Sequence, residues 1–244
     1  MSFSRFDLVR KLRRIVRRRW IDERLDALRF AIDTFPAPDY HPLPWFNKTG
    51  ERTEGTYSRW AEISRIAEEK QVRSAVDIGA NIGFFSLSLA LRGVDVVAIE
   101  REPKARRIFS YTKERLGLDN AALTDLTVTE RSVGLLPRAD LVLFLSVWHH
   151  MVREHGLDLA REMLGRIWER CDRVMVFDTG QEEMPSYFGL PRMEPTPRLW
   201  VGNLLTECCG DGRVEYLGEH AAFDPAGRQC MRSLFAVHRQ ASGQ

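Results

Sequence analysis

The sequence predicts an α/β fold, a doubly wound parallel sheet that closes in an antiparallel hairpin, on three observations. Short apolar runs alternate with helical periodicities from residue 74 onward. A glycine-rich turn joins the first of those runs to the first of those helices, with Gly79 and Gly83 at its two ends. The last two apolar runs follow one another with no helix between them, which consecutive parallel strands do not allow.

Residues 1–54 read as a basic helical arm followed by a proline-rich connector, and residues 55–244 as the domain proper. In the arm, apolar residues recur at Val9, Leu12, Val16 and Trp20, then at Leu25, Leu28 and Ile32, with arginine on the opposite face. Pro36, Pro38, Pro42 and Pro44 then exclude regular structure. A helix over 56–70 carries Trp60, Ile63 and Ile66 on one side. Strands are expected at 74–78, 94–99, 126–129, 141–145 and 173–177, and helices at 83–91, 103–116 and 157–170. Thr196 and Pro197 open a helix over 198–209 that Gly210 stops. Strands at 213–217 and 231–238, joined through Pro225 and Gly227, form the hairpin. Seven strands in this order make a Rossmann-like sheet.

The 244 residues are 44% hydrophobic and 29% charged, enough for one sizeable core. No run approaches the roughly 18 apolar residues of a membrane span, and arginines interrupt the apolar core that a secretory leader needs. A cytoplasmic protein is expected, peripheral at the membrane if at all. The four cysteines lack metal-site spacing and read as reduced thiols, with no metal. The net charge of +2 hides a polarity, because the first 30 residues hold ten Lys and Arg against four Asp and Glu. That basic arm admits three readings: a solvated face, a contact with an anionic membrane surface or lipid-linked substrate, and, last for want of interleaved aromatics, RNA.

The segment AVDIGANIGFFSLSLA decides between ligands. A strand runs into Asp77, turns at Gly79 and starts a helix at Gly83, aiming backbone N–H groups into a crevice. A dinucleotide fingerprint would place its first glycine where Asp77 stands. A carboxylate repels pyrophosphate but holds an ammonium, which points to the methionine end of S-adenosylmethionine (SAM). Glu100 ends the next strand 23 residues later, where a carboxylate accepts hydrogen bonds from both ribose hydroxyls. Arg101 beside it either packs over the nucleoside or faces solvent. Glu130 is the candidate acceptor for the adenine amino group after the third strand.

Methyl transfer from a sulfonium is an in-line displacement, so the protein has to position the nucleophile and, for an alcohol, remove its proton. The fourth strand delivers Ser146, Trp148, His149 and His150 to the mouth of the crevice, and either histidine is a candidate base. The alternative is that one caps a helix and the other is exposed. The long segment 181–197, with Tyr187, Phe188 and Arg192, reads as a lid or substrate wall.

These residues resemble the class I SAM-dependent methyltransferases, and the likeness runs from about Thr56 to His238. It implies that Asp77, Gly79, Asn81 and Gly83 belong to the glycine-rich cofactor motif, Glu100 is the ribose acid, and Ser146 stands in the motif after the fourth strand. More narrowly, LFLSVWHHMVREHG, RVMVFDTGQEE and the late YLGEH and GRQCMRSLFAVHR are similar to the methyltransferase part of bacterial enzymes that terminate O-antigen polysaccharides by methylating a phosphorylated sugar. Trp148 departs from that group's phenylalanine or tyrosine. In TGERTEGTYSRW the resemblance implies that Arg59 approaches the cofactor carboxylate. The expected function is O-methylation of a hydroxyl or phosphate on a glycan, lipid-linked or other small acceptor. The alternatives are an RNA methyltransferase using the arm and a non-catalytic SAM-binding protein.

Overall fold

The computed structural model describes residue 42 and residues 53–240. The basic arm, and the proline-rich connector apart from Pro42, lie outside the described residues. From there the elements run α1 (Glu54–Glu69), β1 (Ser74–Ile78), α2 (Phe84–Ala90), β2 (Asp95–Ile99), α3 (Pro103–Leu116), β3 (Ala121–Thr124), β4 (Ala139–Leu145), α4 (Trp148–His155), α5 (Leu157–Trp168), β5 (Cys171–Asp178), α6 (Pro197–Cys208), β6 (Gly212–Phe223) and β7 (Gln229–Arg239).

The seven strands form one sheet in the order β3-β2-β1-β4-β5-β7-β6. The first five are parallel. β7 runs antiparallel to β5 and β6 antiparallel to β7. The order reverses between β1 and β4, so a crevice opens at their carboxyl ends.

Both sheet faces are covered, which is why β4 reads as an unbroken apolar run rather than an alternation. Leu141, Leu143 and Leu145 pack into the layer that holds Ile63 and Ile66 of α1 and Leu87 of α2. Val142 and Phe144 point the other way, onto Met163 and Ile167 of α5 and Leu204 of α6. Local chemistry agrees with the helix boundaries. The Glu102 carboxylate accepts the Ala105 N–H at 2.6 Å to cap α3, and the Thr196 hydroxyl accepts that of Leu199 at 3.3 Å to cap α6. Each helix has its proline just inside the cap.

Three expectations change. The third strand is Ala121–Thr124, not 126–129, and it pairs Ala121 with Val96 and Thr124 with Ile99. Two alanines gave it a weak strand signal, whereas the alternation at Leu126 and Val128 comes from a loop beyond the sheet that tucks those side chains inward. α4 was not expected, and it puts both histidines inside a helix. β6 continues to Phe223 through an irregularity at Tyr216 and Gly218, where φ is +113° at the glycine.

Trp148, expected at the mouth of the crevice, is instead fully buried in the core and anchors α4. Its indole N–H donates to the Ala160 carbonyl on α5 at 3.0 Å, so the two residues that follow it are set by core packing. Among the described residues no helix is long and apolar enough to cross a membrane.

Candidate functional site

The loop after β1 is made of backbone. Gly79 and Ala80 donate to the Ile99 carbonyl at 2.9 and 3.0 Å, which ties the loop to the tip of β2. Gly79 has φ +75°, and a Cβ there would collide with Val147, so glycine lets the β1 and β4 tips close on each other. Gly83 also has a left-handed backbone (φ +90°), but a Cβ there would strike the Phe109 ring. It is not among the residues that border the two recesses, and its missing Cβ lets α2 pack on α3.

Glu100 sits half-buried at the tip of β2. Its two oxygens accept the Asn81 N–H at 2.8 Å and the Glu102 N–H at 2.7 Å, which fixes the carboxylate and leaves acceptor capacity on each oxygen. Asn81 itself has φ +51° and accepts the Ile82 N–H on its side chain at 2.7 Å.

Asp77 is 2% exposed and its hydrogen-bond partner is the Ser86 hydroxyl, at 2.6 Å. Burial pushes its carboxyl up to about 7, the Ser86 hydrogen bond opposes that, and the Glu100 charge adds to it. Among the described residues no cation neutralises it. A buried carboxylate with this surrounding favours a cationic ligand, and the ammonium of SAM fits it.

The tips of β4 and β5 carry the second half. Ser146, at φ +55°, donates its backbone N–H and its hydroxyl to one Asp178 oxygen at 2.6 and 2.8 Å. The other Asp178 oxygen accepts from Arg59 at 2.8 Å, and both partners are almost wholly buried. Burial alone would raise Asp178, but Arg59 and Arg232 outweigh it and hold the carboxyl below its usual range. Arg232, from β7, donates to Glu183 at 2.7 Å and to the Ser146 hydroxyl at 3.3 Å.

His149 is buried, and its Nδ1 accepts the Gly180 N–H at 2.9 Å, with the Thr179 hydroxyl 3.2 Å away. Burial, then the charges of His150, Arg232 and Arg153, push this ring well below its usual range, so it is neutral at physiological pH. With Nδ1 committed as acceptor, the proton is on Nε2. His150 is lowered too, by burial and by Arg153 and Arg101, and its buried Nδ1 has no partner among the described residues. The rings lie 4.3 Å apart, each 5.5 Å from Phe188.

These groups line two joined recesses. One, about 460 Å³, holds Arg59, Asp77, His149 and Arg232 and is walled by Tyr187 and Phe188. The other, about 230 Å³, holds Glu100, Arg101 and the loop Leu126, Thr127 and Val128. Gly79, Asn81, Ser146, Val147 and His150 border both. Arg101 reaches this second recess with its guanidinium paired to Glu154 at 2.9 Å. Glu130 is not there. Because β3 ends earlier than expected, Thr127 and Val128 occupy that place, and the Glu130 carbonyl instead accepts from Arg166 at 2.7 Å. Arg192 is also away from the cleft, exposed and paired with Glu194 at 3.0 Å. No group of three metal-ligating side chains occurs among the described residues.

Comparison with known proteins agrees with this geometry. No protein-family model matches the chain. Over 137 residues, 55% of its length, the chain is 30% identical to the O-antigen chain terminator bifunctional methyltransferase/kinase WbdD of Escherichia coli, and the match spans 18% of that protein. A crystal structure of WbdD superposes with a TM-score of 0.66 at 22% identity, over 85% of this chain and 46% of that one. Magnesium protoporphyrin IX methyltransferase ChlM from Synechocystis PCC 6803, crystallised with bound SAM, superposes with a TM-score of 0.55 at 14% identity, over 77% and 82% of the two chains. The chain has the class I methyltransferase fold.

Within that methyltransferase fold, sequence reasoning missed Asp178, Arg232 and Glu183. Asp178 carried a signal, since it ends a strand at the carboxyl edge, close to where Asp77 stands on its own strand. Arg232 and Glu183 stand in segments that carried the narrower resemblance, but nothing in the sequence pointed to their pairing, which joins β7 to a loop 49 residues away.

Proposed function

We propose that this chain is a SAM-dependent methyltransferase that transfers a methyl group to an oxygen of a hydroxyl or phosphate on a glycan, lipid-linked or other small acceptor. Two carboxylates at opposite ends of one continuous cleft carry the reading: Asp77, buried and unneutralised, and Glu100, held with acceptor capacity to spare. The first suits an ammonium and the second a ribose diol. The class I fold supports it, and the likeness to a chain terminator supports a glycan or lipid-linked acceptor.

SAM supplies an electrophilic methyl group. The chain's own residues bind and orient. Asp77 and the Gly79 to Asn81 loop hold the amino-acid end, with Arg59, fixed by Asp178, toward its carboxylate. Glu100 holds the ribose and Arg101 flanks the nucleoside. His149 presents its Nε2–H to the acceptor oxygen and orients it. His150 borders both recesses and is the candidate base for a hydroxyl acceptor; a phosphate needs no base. Residues 55–244 are the catalytic domain in this reading, and residues 1–54 an arm suited to an anionic membrane surface that presents the acceptor.

Calorimetry with SAM and its demethylated product tests the binding half. Saturable heat with both is expected, and a response to a nicotinamide nucleotide in place of SAM overturns the reading. Labelled methyl transfer into a cell extract tests the chemistry, with label expected in an acid-stable, glycan-containing fraction.

A further inference from the structure

On the sheet face that α5 covers, two arginines converge without an anion. Arg166 lies in the last turn of α5 and Arg170 two residues beyond it, both half-buried. The Nη2 of each is 3.9 Å from where a Cβ on Gly134 would sit. The two nitrogens are therefore within about 8 Å of each other, a range in which like charges repel unless something joins them. Arg166 spends one N–H on the Glu130 carbonyl. The Nε of Arg170 is buried with no hydrogen-bond partner, and among the described residues no carboxylate pairs with either side chain.

Neighbouring arginines are not left this way. Arg138 pairs with Asp172, Arg173 with Asp140, Arg161 with Glu207 and Arg239 with Asp211. A buried, unsatisfied guanidinium N–H costs free energy that a bound anion recovers, and guanidinium forks match phosphate oxygens.

We propose that Arg166, Arg170 and the exposed turn at Gly134 form a binding site for a phosphoryl group. It is separate from the methyl-transfer cleft. Neither arginine nor Gly134 borders either recess, although Arg166 reaches the Glu130 carbonyl, two residues past the Val128 that lines the second one. The inference therefore stands or falls independently of the proposed activity. Leu135, 73% exposed, adjoins the turn, so a phospholipid headgroup and a free phosphoryl compound offer the same chemistry here.

Two probes distinguish those sources: inorganic phosphate followed by calorimetry against a chloride-matched blank, and sedimentation with vesicles of phosphatidylglycerol in phosphatidylcholine. Each compares the wild-type chain with Arg170→Gln and Gly134→Asp. Gly134 lacks a positive φ and a Cβ there meets both guanidinium groups at ordinary contact distance, so the aspartate variant fills the site from within and is expected to fold. Because the first 30 residues carry ten Lys and Arg of their own, the readout is the difference between chains. We expect saturable phosphate binding that weakens at least about tenfold in both variants. Loss of vesicle binding alone in the variants assigns the site to a lipid headgroup, and loss of phosphate binding alone to a free ligand. Should Arg170→Gln melt before assay, Gly134→Asp decides. Equal binding by wild type and Gly134→Asp, or no saturable binding of either probe, overturns the site.

Discussion

The two recesses of the cleft are built in different ways. At Glu100 the carboxylate is held by backbone N–H groups two and nineteen residues away. Around Asp178 the wall is a network of buried side chains, with Arg59 from α1, Ser146 after β4, Arg232 from β7 and Glu183 from a loop. The first is a backbone socket that tolerates changes in its side chains. The second is an electrostatic truss in which each charge is buried on the strength of its partner.

The comparison breaks most sharply at Asp178. Asp178→Ala leaves Arg59 buried without a counter-charge, and a loss of about 3–5 kcal/mol in urea unfolding is expected. A loss below about 1 kcal/mol, the worth of a surface pair, would show that the truss is ornamental.

Asp77 is the next largest. Its carboxyl is raised in the fold relative to the unfolded chain, so the folded state holds the proton more tightly, and stability falls as pH rises from about 4 to about 7. Asp77→Asn lacks that loss and should be the more stable protein at pH 8, while binding SAM worse. SAM affinity of the wild-type chain should decline as pH drops below about 7, and the variant's should stay level; matching pH profiles for the two proteins would contradict the ammonium role.

Glu100→Ala sharpens the contrast from the other side. Removing two charge-assisted hydrogen bonds to the ribose should weaken SAM about 10- to 100-fold by calorimetry, with the thermal midpoint nearly unchanged. Unchanged affinity counts against the ribose role.

Gly83→Ala has the smallest expected effect on function. The new Cβ meets Phe109 at a left-handed backbone, so a stability loss of about 1–3 kcal/mol is expected with SAM affinity retained at low temperature. A large affinity loss in a fully folded variant would return Gly83 to the cofactor site.

Most of the backbone socket was legible in the residue order. Strand, acidic residue, glycine and helix sit within a dozen positions, and Glu100 ends the next strand 23 residues after Asp77, so Asp77, Gly79 and Glu100 could be placed from spacing. Gly83 was placed at the start of its helix, but its contact with Phe109 was not legible, because spacing shows where a glycine stands and not what its missing Cβ would strike. Glu130 failed by a register error: Leu126 and Val128 alternate as a strand does, while the true β3 is marked by two small alanines. Of the histidines, position was legible and protonation was not, since the Gly180 N–H that sets the His149 tautomer comes from 31 residues away.

The sequence by itself determined the order of strands and helices, the reversal that opens the crevice and the acidic residues at the tips of β1 and β2. These follow from periodicity, turns and caps, which act over a few neighbouring residues. Tertiary structure alone decided that Arg59 and Arg232 share Asp178's neighbourhood, that His149 is a neutral donor, and that Arg166 and Arg170 meet over Gly134. Burial and charge act through space, and the fold brings together side chains that the chain keeps far apart.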